Sequence, residues 1–227
     1  MREFVKVGHG GASSLAPPNT WRSFVLALMH GVDMIEVDLR RCGDGHLVLI
    51  HDPVVRHGGR ELKVSDTSLP DLRATMRELG APLVTLLEFL EFARGQCKVM
   101  IDVKEDGLAD DMVSILRDVD IPKYDLVVSG ASAEERRRLR ELMPDISLST
   151  TMELRPEDVT DDLIRGIDTP MVTWHYGMLT MENVKRVKGR GIKIFAWTVD
   201  EIALMRELLS LGVDGIISGR PDLFSKL

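Results

Sequence analysis

The chain has 227 residues, of which 44% are hydrophobic and 29% are charged, and its formal net charge is −7. This is enough apolar material for a sizeable core, while the acidic balance argues against nucleic-acid binding, which needs a basic surface. The apolar runs are far shorter than the ~18 residues of a membrane span, and the two cysteines make no disulfide framework. We therefore expect a cytoplasmic protein without an integral membrane segment. The sequence carries no signal for its oligomeric state.

Short apolar runs typical of strands recur eight times, and segments of helical period separate them. They are Val5–Val7, Met34–Leu39, Val99–Val103, Leu126–Ser129, Ile146–Ser149, Met171–Trp174, Ile192–Val199 and Gly215–Ser218. Most are apolar throughout, which is typical of parallel strands covered by helices. The pattern predicts a single (β/α)8 TIM barrel over residues 1–227. An open doubly wound sheet is the alternative, but no Gly-x-Gly-x-x-Gly turn follows an early strand.

Local sequence signals indicate where helices start and where one insertion interrupts the alternation of strands and helices. Thr85, followed by Glu88, predicts a capping box, and Asp200 is predicted to cap the helix that starts near Ile202. After the second strand comes another strand-like run, Leu47–Ile50, and then a polar stretch. We interpret residues 52–80 as an insertion on the second strand-to-helix loop, the face on which barrel enzymes carry their active sites.

Acidic side chains alternate with apolar ones at the ends of two predicted strands. Glu36, Asp38 and Arg40 share one face of the second strand, and Asp102 and Lys104 repeat the alternation on the third. Carboxylates that point into a barrel are costly unless they are neutralised. A set of carboxylate oxygens with no cysteine nearby favours Mg²⁺ or Ca²⁺. The alternative is a group of acids that only pair with Lys104 and Arg40.

Two histidines follow strand-like runs on the same predicted face. His9 ends the first strand and precedes Gly10-Gly11, and His51 ends the run Leu47–Ile50 and precedes Asp52-Pro53. A lone histidine is more often structural than catalytic. Two of them beside a candidate metal site are what acid–base catalysis requires.

Several segments, in this order, carry a family resemblance. They are Gly8-His9-Gly10-Gly11, Pro17-Pro18-Asn19-Thr20, Gly31-Val32-Asp33-Met34-Ile35-Glu36-Val37-Asp38, Asp44-Gly45, His51-Asp52-Pro53, Ile101-Asp102-Val103-Lys104, Trp197-Thr198-Val199-Asp200 and Gly212-Val213-Asp214-Gly215-Ile216-Ile217-Ser218-Gly219-Arg220-Pro221. Together they resemble the signature of the glycerophosphodiester phosphodiesterase family over nearly the whole chain.

The resemblance implies a barrel with a small insertion that hydrolyses glycerophosphodiesters, such as glycerophosphocholine, to glycerol phosphate and an alcohol. It implies one divalent cation, Mg²⁺ or Ca²⁺, and a small-molecule substrate. By position, it implies metal ligation by Glu36, Asp38 and Asp102, acid–base catalysis by His9 and His51, and substrate binding by Lys104 and Trp197.

The chain also departs from the family pattern. The family usually has Arg and Glu where this chain has Gly10 and Pro18, and commonly Glu where it has Asp102. The two changes at 10 and 18 occur together, so we hypothesise that those side chains normally support each other. Arg40 is the predicted replacement for the missing phosphate-binding cation.

Three other functions stay open at this point. A phospholipase D-like enzyme acting on choline lipids or lysolipids would want an apolar lip at the mouth, of which the insertion gives little sign. A catalytically degenerate barrel would only bind phosphodiesters. An aldolase would use Lys104 as a nucleophile, but neighbouring carboxylates would raise the pKa of its amine rather than lower it.

Overall fold

The computed structural model describes residues 3–119, 121–122 and 125–227. Its strands are β1 Val5–Gly8, β2 Met34–Arg41, β3 Leu47–Leu49, β4 Val54–His57, β5 Arg60–Lys63, β6 Lys98–Val103, β7 Leu126–Ser129, β8 Ser147–Met152, β9 Met171–His175, β10 Lys193–Trp197 and β11 Gly215–Ser218. Its helices are α1 Trp21–Met29, α2 Leu69–Glu78, α3 Leu86–Ala93, α4 Ala109–Asp118, α5 Ala133–Leu142, α6 Asp161–Gly166, α7 Met181–Lys188 and α8 Ile202–Leu211.

Eight parallel strands close into a barrel. The order is β1, β2, β6, β7, β8, β9, β10, β11, and β1 pairs with both β2 and β11, which completes the ring. Helices lie between successive strands, as the right-handed crossover of parallel strands requires. The predicted (β/α)8 TIM barrel is confirmed, and each of the eight predicted runs is a barrel strand.

The alternation of side chains along each strand separates two cores. Outward-facing residues such as Ile35, Val37 and Ile101 are fully buried against the helices in the main hydrophobic cluster. Inward-facing residues form a smaller cluster inside the barrel, which contains Val7, Met34, Met100, Val127, Met171, Phe195 and Ile217. This inner layer fills the barrel, so polar inward-facing residues nearer the strand ends lie above a packed floor.

The segment between β2 and α3 carries extra elements. β3 pairs antiparallel with β2, β4 and β5 form a separate hairpin, and α2 follows. A local core that includes Cys42, Val48, Val55 and Leu72 packs these elements onto the barrel. The predicted small insertion after the second strand is therefore present on this loop.

Of the two helix caps predicted from the sequence, one is present in the structure and the other is not. Thr85 and Glu88 form the predicted capping box at the start of α3. The prediction for Asp200 is wrong, because Glu201 occupies the N-cap position of α8, without a side-chain capping hydrogen bond, and the carboxylate of Asp200 is bonded elsewhere. Within the described part of the chain, no helix combines the length and apolar character of a membrane crossing.

Candidate active site

Three carboxylates meet at the carboxyl ends of β2 and β6. Oxygen atoms of Glu36, Asp38 and Asp102 all lie within 4.8 Å of one another. The strand register explains the convergence, because Asp38 pairs directly with Asp102 across the ladder and Glu36 precedes Asp38 by one pleat repeat. Glu36 and Asp38 are 4% and 3% exposed, so two of the three acids are almost entirely removed from water.

Lys104 supplies the positive charge closest to these acids. Its ammonium group lies 3.0 Å from Asp38 Oδ1 and also donates a hydrogen bond to Asp102 Oδ2. Burial alone would lower the pKa of Lys104, but the charges and hydrogen bonds of Asp102 and Asp38 together raise it. The amine therefore stays protonated at neutral pH, which excludes its use as the nucleophile of an aldolase.

Asn19 and Gly10 hold the two buried acids from the other side of the site. The Asn19 side chain donates from Nδ2 to Asp38 Oδ2 at 2.7 Å and accepts from the backbone N–H of Asp38 at 3.2 Å. The backbone N–H of Gly10 donates to Glu36 Oε2 at 2.8 Å. Both residues have positive φ, 58° at Asn19 and 50° at Gly10, a conformation that Asn and Gly tolerate best.

β7 contributes to the position of the third acid. The Ser129 hydroxyl donates to Asp102 Oδ1 at 2.8 Å. The next residue, Gly130, has a φ of 73°, and a Cβ atom there would lie 2.6 Å from Asp102 Oδ1. A glycine at this position therefore leaves the space that the Asp102 carboxylate occupies.

His9 lies beside Glu36 at the end of β1. Its Nε2 is 3.9 Å from Glu36 Oε2, and its Nδ1 is 3.3 Å from the Thr198 hydroxyl. Burial lowers the pKa of His9, and the opposing effect of Asp38 does not restore it. The ring is thus neutral at pH 7 and can accept a proton, with Thr198 as a partner that fixes one ring nitrogen.

His51 approaches the site from the loop after β3. Its side chain is 61% exposed, and its Nδ1 lies 2.8 Å from Asp52 Oδ1. When Asp52 accepts the proton on Nδ1, the Nε2 atom of His51 is left free to exchange a proton with a ligand.

Arg40, predicted to bind phosphate, does not line the cavity at this face. Its guanidinium donates from Nε to the backbone carbonyl of His51 at 2.8 Å and from Nη1 to Glu105 Oε2 at 3.1 Å. The side chain is 12% exposed. The guanidinium therefore connects the backbone of the His51 loop to the side chain of Glu105, the residue after Lys104.

A cavity of about 390 Å³ opens over the acids. Of the eight predicted site residues, six line it, namely His9, Glu36, His51, Asp102, Lys104 and Trp197. Asp38 is buried within the acidic cluster. The indole Nε1 of Trp197 is buried and has no hydrogen-bond partner among the described residues, so it is a donor that a ligand could satisfy.

The donor set fits a divalent cation. Burial, together with the charges of Asp38 and Asp102, raises the pKa of Glu36 well above its usual range. Asp38 Oδ1 is buried, and its ion-pair partner is the Lys104 ammonium at 3.0 Å. Three carboxylates beside one lysine carry two excess negative charges when all are ionised. A hard cation that prefers oxygen ligands, Mg²⁺ or Ca²⁺, would balance them.

Several residues at the site were not predicted from the sequence. Asn19, Ser129 and Thr198 were not assigned to the site, although each follows a strand or a Pro-rich turn. Asp200 was assigned to a helix cap, but its Oδ1 accepts from the Ser218 hydroxyl at 2.9 Å and from the backbone of Gly219 at 2.8 Å. These bonds tie β11 to the segment that carries Thr198.

The chain is similar to known proteins over nearly its whole length. The model of the glycerophosphoryl diester phosphodiesterase family matches residues 9–223. The glycerophosphodiester phosphodiesterase GDPD4 of Arabidopsis thaliana is 28% identical over 96% of this chain and 71% of its own length. The glycerophosphodiester phosphodiesterase of Caldanaerobacter subterraneus subsp. tengcongensis is 25% identical over 97% of this chain and 96% of its own length.

Solved structures share the fold. A glycerophosphodiester phosphodiesterase from Agrobacterium tumefaciens superposes with a TM-score of 0.80 at 25% identity, covering 99% of this chain and all of the other. A phosphodiesterase from Oleispira antarctica, in complex with the product sn-glycerol-3-phosphate, superposes with a TM-score of 0.84 at 22% identity. It covers 98% of this chain and 95% of its own.

Proposed function

The chain belongs to the glycerophosphoryl diester phosphodiesterase family, and from that premise we propose that it hydrolyses glycerophosphodiesters to glycerol phosphate and an alcohol. The observation that carries the proposal is the meeting of three carboxylates, a protonated lysine and two histidines at one cavity. A barrel needs no such group of charges for its stability, because buried charges cost free energy unless they are paired.

We propose that Glu36, Asp38 and Asp102 hold the divalent cation. When bound, it supplies positive charge to a phosphate oxygen of the diester, which is where negative charge grows during displacement at phosphorus. Asn19 and Gly10 keep Asp38 and Glu36 in place for this task. The choice between Mg²⁺ and Ca²⁺ is part of the proposal, and the assay below includes both.

Lys104 is the proposed second contact of the phosphate group. Its ammonium carries a full charge at neutral pH because Asp102 and Asp38 stabilise it, and it lines the cavity beside the acids. A lysine in this position attracts the anionic diester and stabilises the additional charge of the transition state. Trp197, at the carboxyl end of β10 in the same cavity, offers its buried N–H to the substrate.

His9 and His51 are the proposed acid–base pair. They line the same cavity from different segments of the chain, so one can take a proton from the attacking hydroxyl while the other protonates the leaving alkoxide. His9 is the more suitable base, since burial lowers its pKa and keeps it unprotonated. His51, exposed and partnered by Asp52, is then the general acid.

The test is a direct assay of product release. Purified protein is stripped of cations with EDTA and offered glycerophosphocholine with Mg²⁺, Ca²⁺ or neither, and free choline and glycerol phosphate are measured. We expect release only with a cation, and its loss in Glu36→Gln and in His9→Ala. Glu157→Gln, which changes an exposed carboxylate outside the cavity, is the control. Absence of release with every cation would favour a barrel that only binds phosphodiesters.

A second substrate class is favoured by one observation. A cavity of about 420 Å³ lies on the other side of His51, and its lining is mainly apolar, with Ile50, Val55, Leu79 and Leu83 among its residues. From the sequence alone we expected no apolar lip, because these residues come together only when β4 and α2 fold against β3. Such a surface suits the acyl chain of a lysolipid, as in the phospholipase D-like alternative.

Leu79 tests this second candidate because it is 43% exposed and can be changed without disturbing the core. If acyl chains bind here, Leu79→Asp lowers kcat/KM for lysophosphatidylcholine by about tenfold and leaves glycerophosphocholine unaffected. Leu87→Asp is the matched control, since Leu87 is 42% exposed but lies outside the cavity. Equal rates for both variants on the lysolipid would exclude this subsite.

For the location of the protein we keep the cytoplasm as the proposal, which rests on its cysteine usage.

A further inference from the structure

We propose that Arg40 is a positioning residue for His51 and does not bind the phosphate of the substrate. The inference rests on the proposed function, because it assigns to Arg40 a task that only a catalytic His51 would need. Its basis is the hydrogen bond from Arg40 Nε to the backbone carbonyl of His51, at 2.8 Å, in a side chain that is 12% exposed.

His51 needs such support because little else fixes it. Its side chain is 61% exposed, and the described partner of its ring, Asp52, is itself 73% exposed. An ion pair between two exposed groups contributes little to order. The backbone before His51 is held, since Ile50 donates to the carbonyl of Asp38 at 2.9 Å. The Arg40 bond extends that support by one residue, to His51 itself.

Glu105 holds the guanidinium in place. One of its carboxylate oxygens accepts from Arg40 Nη1 at 3.1 Å, and the other accepts from the backbone N–H of Arg41 at 2.9 Å. Glu105 directly follows Lys104, whose N–H donates to the carbonyl of Leu39 at 3.1 Å. The pair of Arg40 and Glu105 therefore joins the segments that carry Asp38, Lys104 and His51.

The geometry also separates this role from phosphate binding. Arg40 does not line the cavity that contains the acids, Lys104 and both histidines. The planar guanidinium uses two of its nitrogen atoms on neighbouring chain segments, and a lysine could not reproduce both directions at once. Removal of Arg40 should therefore impair the proton transfer step more than the binding of the diester.

The test compares kcat and KM with glycerophosphocholine in Arg40→Gln, Arg40→Lys and Glu105→Gln. We expect Arg40→Gln to lower kcat on the order of tenfold to a hundredfold, because small misplacements of a catalytic group are costly, with KM changed less than about threefold. Arg40→Lys should recover part of the rate. In a His51→Ala background, Arg40→Gln should cause no further loss, because the group that it positions is gone.

Arg138→Gln is the matched control, since it breaks another arginine–carboxylate pair, with Asp110 at 2.6 Å, on the outer helices. It should keep the wild-type kcat. If Arg40→Gln raises KM and retains kcat, Arg40 binds the phosphate and the proposal is overturned. If Arg40→Gln lowers kcat by the same factor in the His51→Ala background as in the wild type, Arg40 does not act through His51. If Arg40→Gln does not fold by circular dichroism, Glu105→Gln is judged by the same criteria. A wild-type protein without turnover, or a fully active His51→Ala, refutes the proposed function instead.

Discussion

Asn19 holds Asp38 at two points, through the carboxylate at 2.7 Å and through the backbone N–H at 3.2 Å. This residue comes from the turn before α1, whereas Asp38 lies within the barrel strand β2. The turn thus orients one member of the acidic cluster in the way that outer-shell groups orient metal ligands in other proteins.

Replacement of Asn19 should weaken cation binding. Asn19→Gly tolerates the φ of 58° but loses both hydrogen bonds. We expect the dissociation constant for Mg²⁺ or Ca²⁺, measured by isothermal titration calorimetry, to rise about tenfold to a hundredfold. Asn183→Ala, which removes a buried asparagine from the capping box at the start of α7, is the control and should leave the constant unchanged. An unaltered constant in Asn19→Gly would show that Asp38 needs no such support.

Cation binding should stabilise the fold. The folded chain brings the three carboxylates within 4.8 Å, an arrangement that the unfolded chain lacks, so the ion binds the native state preferentially. At a concentration one hundred times the dissociation constant, the gain is about 2.7 kcal/mol. Thermal melts with and without Mg²⁺ or Ca²⁺ would measure it. Glu36→Gln should abolish the shift and Glu157→Gln should keep it. A shift of the same size in Glu36→Gln would place the binding site elsewhere.

Gly10 should resist substitution for reasons of backbone conformation. Its φ is 50°, and an added Cβ would lie 3.0 Å from the Cβ of Pro18. We expect Gly10→Ala to lower the free energy of unfolding by about 1–2 kcal/mol, as measured by urea denaturation. Gly166→Ala is the control, because Gly166 has an ordinary φ and open space around it. Equal stability of the two variants would contradict this reading of the turn.

The short distance between Gly10 and Pro18 is relevant to the fact that both positions differ from the residues usual in the family. The two positions face each other, so side chains at both would be in contact. This supports the hypothesis that the residues usually found there support each other.

Cys97 should react slowly in the native protein. Burial raises the pKa of its thiol to about 11, so only about one molecule in a thousand carries the reactive thiolate at pH 8. Ellman's reagent should therefore label it much faster in guanidinium chloride than in buffer. Cys97→Ser identifies its contribution beside that of Cys42, whose pKa is likewise raised to about 11 by burial. Labelling of Cys97 in buffer as fast as that of free cysteine would contradict the raised pKa of this partly buried thiol.

The sequence was sufficient to predict the fold and the site residues that lie on strands. Apolar runs identified the eight barrel strands, and the alternation of Glu36 and Asp38 with apolar residues correctly assigned them to the inner face. Asp102 could be added because parallel strands end at the same edge. These inferences depend on strand periodicity alone, which is a local property.

Residues whose position depends on tertiary packing could not be predicted in the same way. Asn19 reaches Asp38 only because the turn before α1 folds over the barrel mouth. Arg40 shares the strand face of Glu36 in the sequence, yet it lies past the point where β2 leaves the ring and pairs with β3, so its side chain meets Glu105. Asp200 had the sequence of a helix cap, but its carboxylate accepts hydrogen bonds from the Ser218 hydroxyl and the Gly219 backbone N–H instead.

The antiparallel pairing of β2 with β3 has a consequence for how such enzymes can diversify. The ladder fixes the register of β3 against β2, since a slip of one residue would turn the side chains of β3 and of the following His51 to the opposite face. The exposed turn of the β4–β5 hairpin, at Gly58 and Gly59, lies outside this ladder and outside the local core, so it can be lengthened or exchanged. This segment is where we would graft foreign loops to build new substrate preferences while the reacting groups stay in place.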